Sequence, residues 1–153
     1  MSDMKTDPAD RAEELFNQKY NCAQSVLMTF TDQGGMNEET AARLAACFGG
    51  GLARRGEVCG AVTGALMVLG ILLAKPTPEG KEGNYQLAQE FMHYFENRHG
   101  TLLCRHLIGC DLTTPEGRQQ AEDSGVTRTI CPALVRDAAA ILEYMLTPQE
   151  STT

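Results

Sequence analysis

The longest apolar run in the chain, residues 61–74, is 14 residues long and contains one hydroxyl, Thr63, and two glycines. Crossing a bilayer takes roughly 20 residues, so the run predicts a buried helix and no membrane span. A helix apolar nearly all round needs partners on every side, which makes it the expected centre of a helical core. Gly60 and Gly64, continued by Gly70, give it a smooth stripe for close contact with a second helix.

The remaining sequence reads as those partners. Asp7-Pro8 predicts a capped helix start, with the helix running to about Lys19. Asn21 caps a second helix carrying Cys22, Val26 and Phe30 on one face, stopped by Gly34-Gly35. Asn37 opens a third, through Ala41, Leu44, Ala45 and Phe48, ending at Gly49. A glycine loop, residues 49–57, leads into the apolar helix at about Cys59, and Pro76 and Pro78 lie beyond its end. A fifth helix covers residues 86–98 with Leu87, Phe91, Tyr94 and Phe95, closed by Gly100. A short turn at 101–108 and a short helix from Thr114 to Gly125 follow. The last helix opens at Cys131-Pro132 and carries Leu134, Val135, Ala138, Ile141, Leu142 and Met145 at helical spacing. No segment alternates with period two. The expected fold is all-α: a single-domain helical bundle of about five main helices plus short helical turns, over residues 1–148, with a frayed tail at 149–153.

Composition narrows the function. A chain of 153 residues with 42% hydrophobic and 22% charged residues suits one globular domain. Thirteen Lys and Arg against twenty Asp and Glu give a net charge of −7, which repels phosphate backbones and argues against a nucleic-acid partner. Residues 1–14 are polar and acidic with no apolar signal region, so the expected location is cytoplasmic. In a reducing compartment, six cysteines point to metal ligation or redox chemistry more than to disulfide staples.

Four of the six fall at expected helix starts: Cys22 after Asn21, Cys59 after the glycine loop, Cys104 after Thr101, and Cys131 before Pro132. First-turn N–H groups and the positive end of the helix dipole favour a thiolate over a thiol. Converging helix starts would therefore gather reactive sulfurs. The competing reading is that each is a small buried hydrophobe. Cys47, late in its helix beside Phe48, is expected to pack in the core. Cys110, in a loop after Gly109, fits a spare ligand, a resolving thiol or an incidental residue. No CxxC occurs, so any site must be assembled from distant segments.

The run Tyr20-Asn21-Cys22-Ala23-Gln24-Ser25-Val26, the box Cys59-Gly60-Ala61-Val62-Thr63-Gly64, then Cys104 and Cys131, resemble the C_GCAxxG_C_C family of redox-active proteins. The segment from Cys104 through Gly109 to Asp111 is similar as well. The likeness extends from about Tyr20 to Leu146. It implies that Cys22, Cys59, Cys104 and Cys131 are the functional cysteines. A related domain occurs in split-Soret cytochromes, where such cysteines accompany an iron–sulfur centre. This chain has no CxxCH haem attachment site, so only the non-haem part would carry over.

Other features are weaker. The glycine loop lacks the Gly-Lys-Ser/Thr of a Walker loop and the preceding strand of a dinucleotide box. Its glycines instead suit close approach of backbone to sulfur, with Gly60 and Gly64 in support. Arg54 and Arg55 either offset thiolate charge or form a solvated basic pair. His106, two residues from Cys104, is the histidine placed nearest a candidate ligand. The methionines read as packing residues, and no nucleophile–base arrangement for hydrolysis stands out.

Three functions follow. In the first, a redox or electron-transfer protein, Cys22, Cys59, Cys104 and Cys131 hold an iron–sulfur cluster. In the second, without metal, Cys59 attacks a disulfide and Cys22, Cys104 or Cys131 is its redox partner. The third is a structural zinc site or an interaction module. The redox readings leave open whether the chain is an oxidoreductase, and whether its partner is a protein or a small oxidant. A homodimer is compatible with the sequence and not required by it.

Overall fold

The computed structural model describes residues 6–148; the tail expected at 149–153 lies outside the described residues. The helices are α1 Pro8–Asn17, α2 Cys22–Thr29, α3 Glu38–Leu44, α4 Gly60–Leu72, α5 Lys81–His99, α6 Cys104–Ile108, α7 Pro115–Ser124 and α8 Cys131–Leu146. Single turns at Thr31–Gly34 and Val126–Thr129 and a 3-10 turn at Pro78–Gly80 connect them. Among the described residues there is no strand, only an isolated antiparallel bridge between Val58 and Leu103. The all-α single-domain expectation holds.

Five helices, α1, α2, α4, α5 and α8, enclose one core containing Leu15, Leu27, Val62, Phe91, Phe95 and Ile141. The helix that touches all four others is α8, whose spacing of Leu134, Val135, Ala138, Ile141 and Leu142 keeps those side chains buried. The apolar helix α4 packs against α2, α5 and α8, but its C-terminal end leaves the core: Ile71 is 39% and Leu73 41% exposed. The small-residue stripe explains where close contact stops. A Cβ on Gly64 would lie 2.6 Å from the Ala23 carbonyl oxygen, and one on Gly60 would lie 3.0 Å from the Ala23 nitrogen. Nothing lies within 4 Å of the same position on Gly70. The expected continuation of the stripe to Gly70 is thus corrected: α2 crosses α4 at its first two turns only.

Two boundaries differ from expectation for physical reasons. α3 ends at Leu44, because the chain turns there to offer the Ala45 and Ala46 carbonyls to Asn21 Nδ2, at 3.3 and 3.1 Å. α5 starts at Lys81, earlier than its apolar periodicity shows. Its first turns are polar, and Asn84 fastens them to the preceding segment by accepting from Lys75 N at 3.0 Å and donating to Lys75 O at 2.8 Å.

Candidate functional site

Four local devices bring the cysteine-bearing helix starts together. At α2, Asn21 Oδ1 accepts from Gln24 N at 2.8 Å while Gln24 Oε1 accepts from Asn21 N at 3.0 Å. This reciprocal cap places Cys22 in the first turn. Asn21 and Gln24 also donate to carbonyls at the end of α3, so the cap is anchored at both ends. At α4, Cys59 is the cap residue itself, and the close approach of α2 at Gly60 sets the Cys22 Cβ 3.1 Å from where a Gly60 Cβ would be.

Cys104 is delivered by the isolated bridge. Cys59 N donates to Leu102 O at 2.8 Å and Cys104 N to Glu57 O at 2.7 Å. These bonds flank the Val58–Leu103 pair and fix the two cysteine segments side by side. The glycine loop closes over them. Its residues from Gly50 to Arg54 all have φ between 51° and 68°, a left-handed turn that the three consecutive glycines begin. A Cβ on Gly51 would lie 2.7 Å from Cys104 Cβ and 2.6 Å from Glu57 N, so only glycine lets this turn rest on the sulfur-bearing segment.

The result is a cavity of about 900 Å³ lined by Cys22, Cys59, Cys104 and Cys131, with Gly49, Gly50, Gly51 and Gly60 forming part of its wall. Cys59, Cys104 and Cys131 are buried and Cys22 is half-buried. The four cysteines marked by helix starts therefore share one cavity, and all six cysteines are free thiols.

The sulfurs do not titrate alike. Cys59 is held below the ordinary thiol value: the Cys22 thiol donates to it, and the Ala61 and Val62 N–H groups add to this, against the opposing cost of burial. Cys22 is pushed well up by its interactions with Cys131 and Cys59 and by burial. Cys104 is pushed up to about 12, first by burial and then by the neighbouring Cys59 and Cys131. The expectation that every helix start lowers its thiol is therefore corrected. Cys59 is lowered, whereas desolvation and sulfur neighbours outweigh the dipole at Cys22 and Cys104. The Val126–Thr129 turn runs into α8 through Ile130, whose φ of −95° and ψ of −48° are helical.

The other candidates separate. Arg54 lines the cavity and Arg55 does not. His106 is exposed and lies outside the lining. Cys47, expected in the core, is exposed at the cavity's edge, because α3 stops at Leu44 and leaves it in the following turn. Cys110 is buried in a satellite cluster with Ile108, Ala121, Cys104 and Cys131, where it packs behind the site. Sequence reasoning missed Lys19 and Arg128, which also line the cavity. Both come from turns, and no local pattern marks them.

Among the described residues, no group of three or more His, Cys, Asp or Glu side chains is placed to hold a metal ion. Among the described residues, no helix is long and apolar enough to cross a membrane.

Comparison with known proteins agrees with this geometry. The family model C_GCAxxG_C_C, described as "putative redox-active protein", matches residues 20–145. The chain matches no curated protein and no solved structure.

Proposed function

The chain belongs to the C_GCAxxG_C_C redox family, and from that premise we propose that it is a thiol–disulfide redox protein with Cys59 as nucleophile and Cys22 as its partner. The observation that carries this reading is the unequal pair: a Cys59 thiolate favoured by a Cys22 thiol that keeps its proton. A thiolate attacks and a neighbouring protonated thiol supplies the second sulfur, which is the division of labour that exchange requires.

The chemistry balances as follows. Cys59 Sγ attacks one sulfur of a disulfide RSSR, the S–S bond breaks, and one RS⁻ leaves. Cys22 Sγ then attacks Cys59 Sγ, displacing the second RS⁻, and the Cys22 proton passes to a departing thiolate. Two protein thiols are oxidised to one disulfide, and RSSR is reduced to RSH and RS⁻. Cys131, which interacts with Cys22, would exchange with the new bond in turn.

A second reading has Cys22, Cys59, Cys104 and Cys131 hold an iron–sulfur cluster, which would supply one-electron transfer. Its support is the meeting of four soft donors, from four segments, at one cavity. The donors have suitable chemistry. Among the described residues they are not gathered into a group of three or more that could hold a metal ion.

The test is stopped-flow reaction with a neutral aromatic disulfide. Cys59→Ser is expected to remove the fast phase, and in the unaltered chain that phase should persist at pH values below the ordinary thiol range. A fast phase that survives Cys59→Ser contradicts the assignment. Iron and sulfide bound stoichiometrically after anaerobic reconstitution would favour the cluster instead.

A further inference from the structure

The charge distribution around the cavity runs against that of the molecule. The chain carries twenty Asp and Glu and a net charge of −7, yet no carboxylate lines the cavity, while Lys19, Arg54 and Arg128 do. Elsewhere Arg11, Arg43, Arg98, Arg105 and Arg136 each form an ion pair, while Arg118 donates to the Leu112 carbonyl and Arg55 is exposed outside the cavity. Among the described residues, none of the three cavity cations forms an ion pair. All three are exposed, so they stand at the solvent edge of a cavity whose floor is sulfur.

Backbone conformation gives a second, independent observation. The non-glycine residues with positive φ among the described residues are Lys19 (82°), Leu52 (67°), Ala53 (51°) and Arg54 (68°). Lys19, Ala53 and Arg54 line the cavity, and Leu52 adjoins them in the same turn. The left-handed region is strained for any residue with a Cβ and is the ordinary place for glycine. Lys19 is the left-handed residue that closes α1, with Lys19 N donating to Phe16 O at 3.0 Å and Tyr20 N to Leu15 O at 3.3 Å, so the end of α1 sets a cation at the cavity's rim. The strained run Leu52, Ala53 and Arg54 holds Ala53 and Arg54 against the cavity, a placement of backbone strain that accompanies functional sites.

We propose that this cavity selects anionic substrates: small disulfides carrying carboxylate groups, drawn to Lys19, Arg54 and Arg128 and presented to Cys59. The inference rests on the thiol–disulfide reading and supplies its substrate class. Unpaired cations at a concave mouth concentrate positive potential and raise the encounter rate of anions, an effect that added salt removes. A cavity of about 900 Å³ accepts a molecule of oligopeptide size.

Three disulfides of graded charge test it: the dianion dithiobis-nitrobenzoate, neutral dithiodipyridine and dicationic cystamine. Rates are measured in a Cys47→Ser background, which removes the exposed thiol. Arg54→Gln with Arg128→Gln is expected to slow the dianion about tenfold or more relative to the neutral probe. The readout is the dianion-to-neutral ratio, which should fall, and high salt should erase the dianion's advantage in the unaltered cavity. Equal slowing of all three probes, or an unchanged dianion-to-neutral ratio, overturns the proposal. A neutral-probe rate untouched by Cys59→Ser is a different result and overturns the thiol reading beneath it. As a further check, Lys19→Gly should raise Tm by about 2–4 °C through relief of strain while reducing the dianion preference. A fall in Tm together with an unchanged preference would contradict the assignment of that residue.

Discussion

At the scale of single residues, the account turns on which sulfur keeps its proton. Cys104 holds its proton up to about pH 12 in the folded chain, against an ordinary thiol value of 9.0, and Cys22 is shifted the same way. An unfolded chain releases these protons near 9, so unfolding above that pH is favoured by ionisation that the folded state resists. The stabilising effect of Cys104 is therefore complete below about pH 9 and is lost between about 9 and 12, and that of Cys22 is lost in the same direction as pH rises. Cys59 acts oppositely, since its lowered value adds stability as pH rises through the depressed value, an effect complete by the ordinary one. Chemical denaturation at a series of pH values should show Cys104→Ala losing less stability than the parent chain between pH 9 and 12. Parallel curves would mean that Cys104 titrates normally. The helix-start placement of these cysteines was legible because caps are local. Which thiol is lowered was not, because that depends on sulfurs more than thirty residues away in the chain and on burial.

At the scale of elements, the close crossing of α2 and α4 sets the distance between the two reacting sulfurs. Gly64→Ala gains helix propensity of about 1 kcal/mol, but its Cβ would meet the Ala23 carbonyl oxygen at 2.6 Å. That atom belongs to the backbone of a packed helix and cannot yield cheaply. Overpacking of this kind costs about 1–3 kcal/mol, so the net expectation is a loss of up to about 2 kcal/mol, with slower Cys59 chemistry as Cys22 is pushed away. Gly70→Ala is the counterpart: nothing lies near it, and it should stabilise by about 0.5–1 kcal/mol. Urea titration of both variants decides the matter, and equal effects would refute the crossing as the positioning device. The spacing of Gly60 and Gly64 announced a close contact. It could not announce that the contact ends before Gly70, because only the path of α2 determines that. The three glycines at 49–51 likewise marked a loop near sulfur, whereas the left-handed continuation through Leu52, Ala53 and Arg54 contradicts their own preferences and is imposed by packing.

At the scale of the whole molecule, a helical bundle holds four chain-distant thiols in one opening lined by three cations and no carboxylate, in a chain of net charge −7. The bundle itself was readable from helical periodicity and stop signals, and the cysteine set from its position at helix starts. Lys19 and Arg128 were not, since each comes from a turn and reaches the cavity only when α1 and α8 pack together. Cys47 misled because the end of α3 is decided by what Asn21 and Gln24 take from its last carbonyls. Convergence of sulfur with unequal protonation is the central claim, and it has a direct check. The reduced chain is treated with one equivalent of a neutral disulfide and its new linkages are mapped by mass spectrometry under acid quench. The account requires an intrachain Cys59–Cys22 bond as the first product. Mapping that instead finds Cys59 and Cys22 still free, with oxidation confined to Cys47 or to bonds between chains, contradicts it.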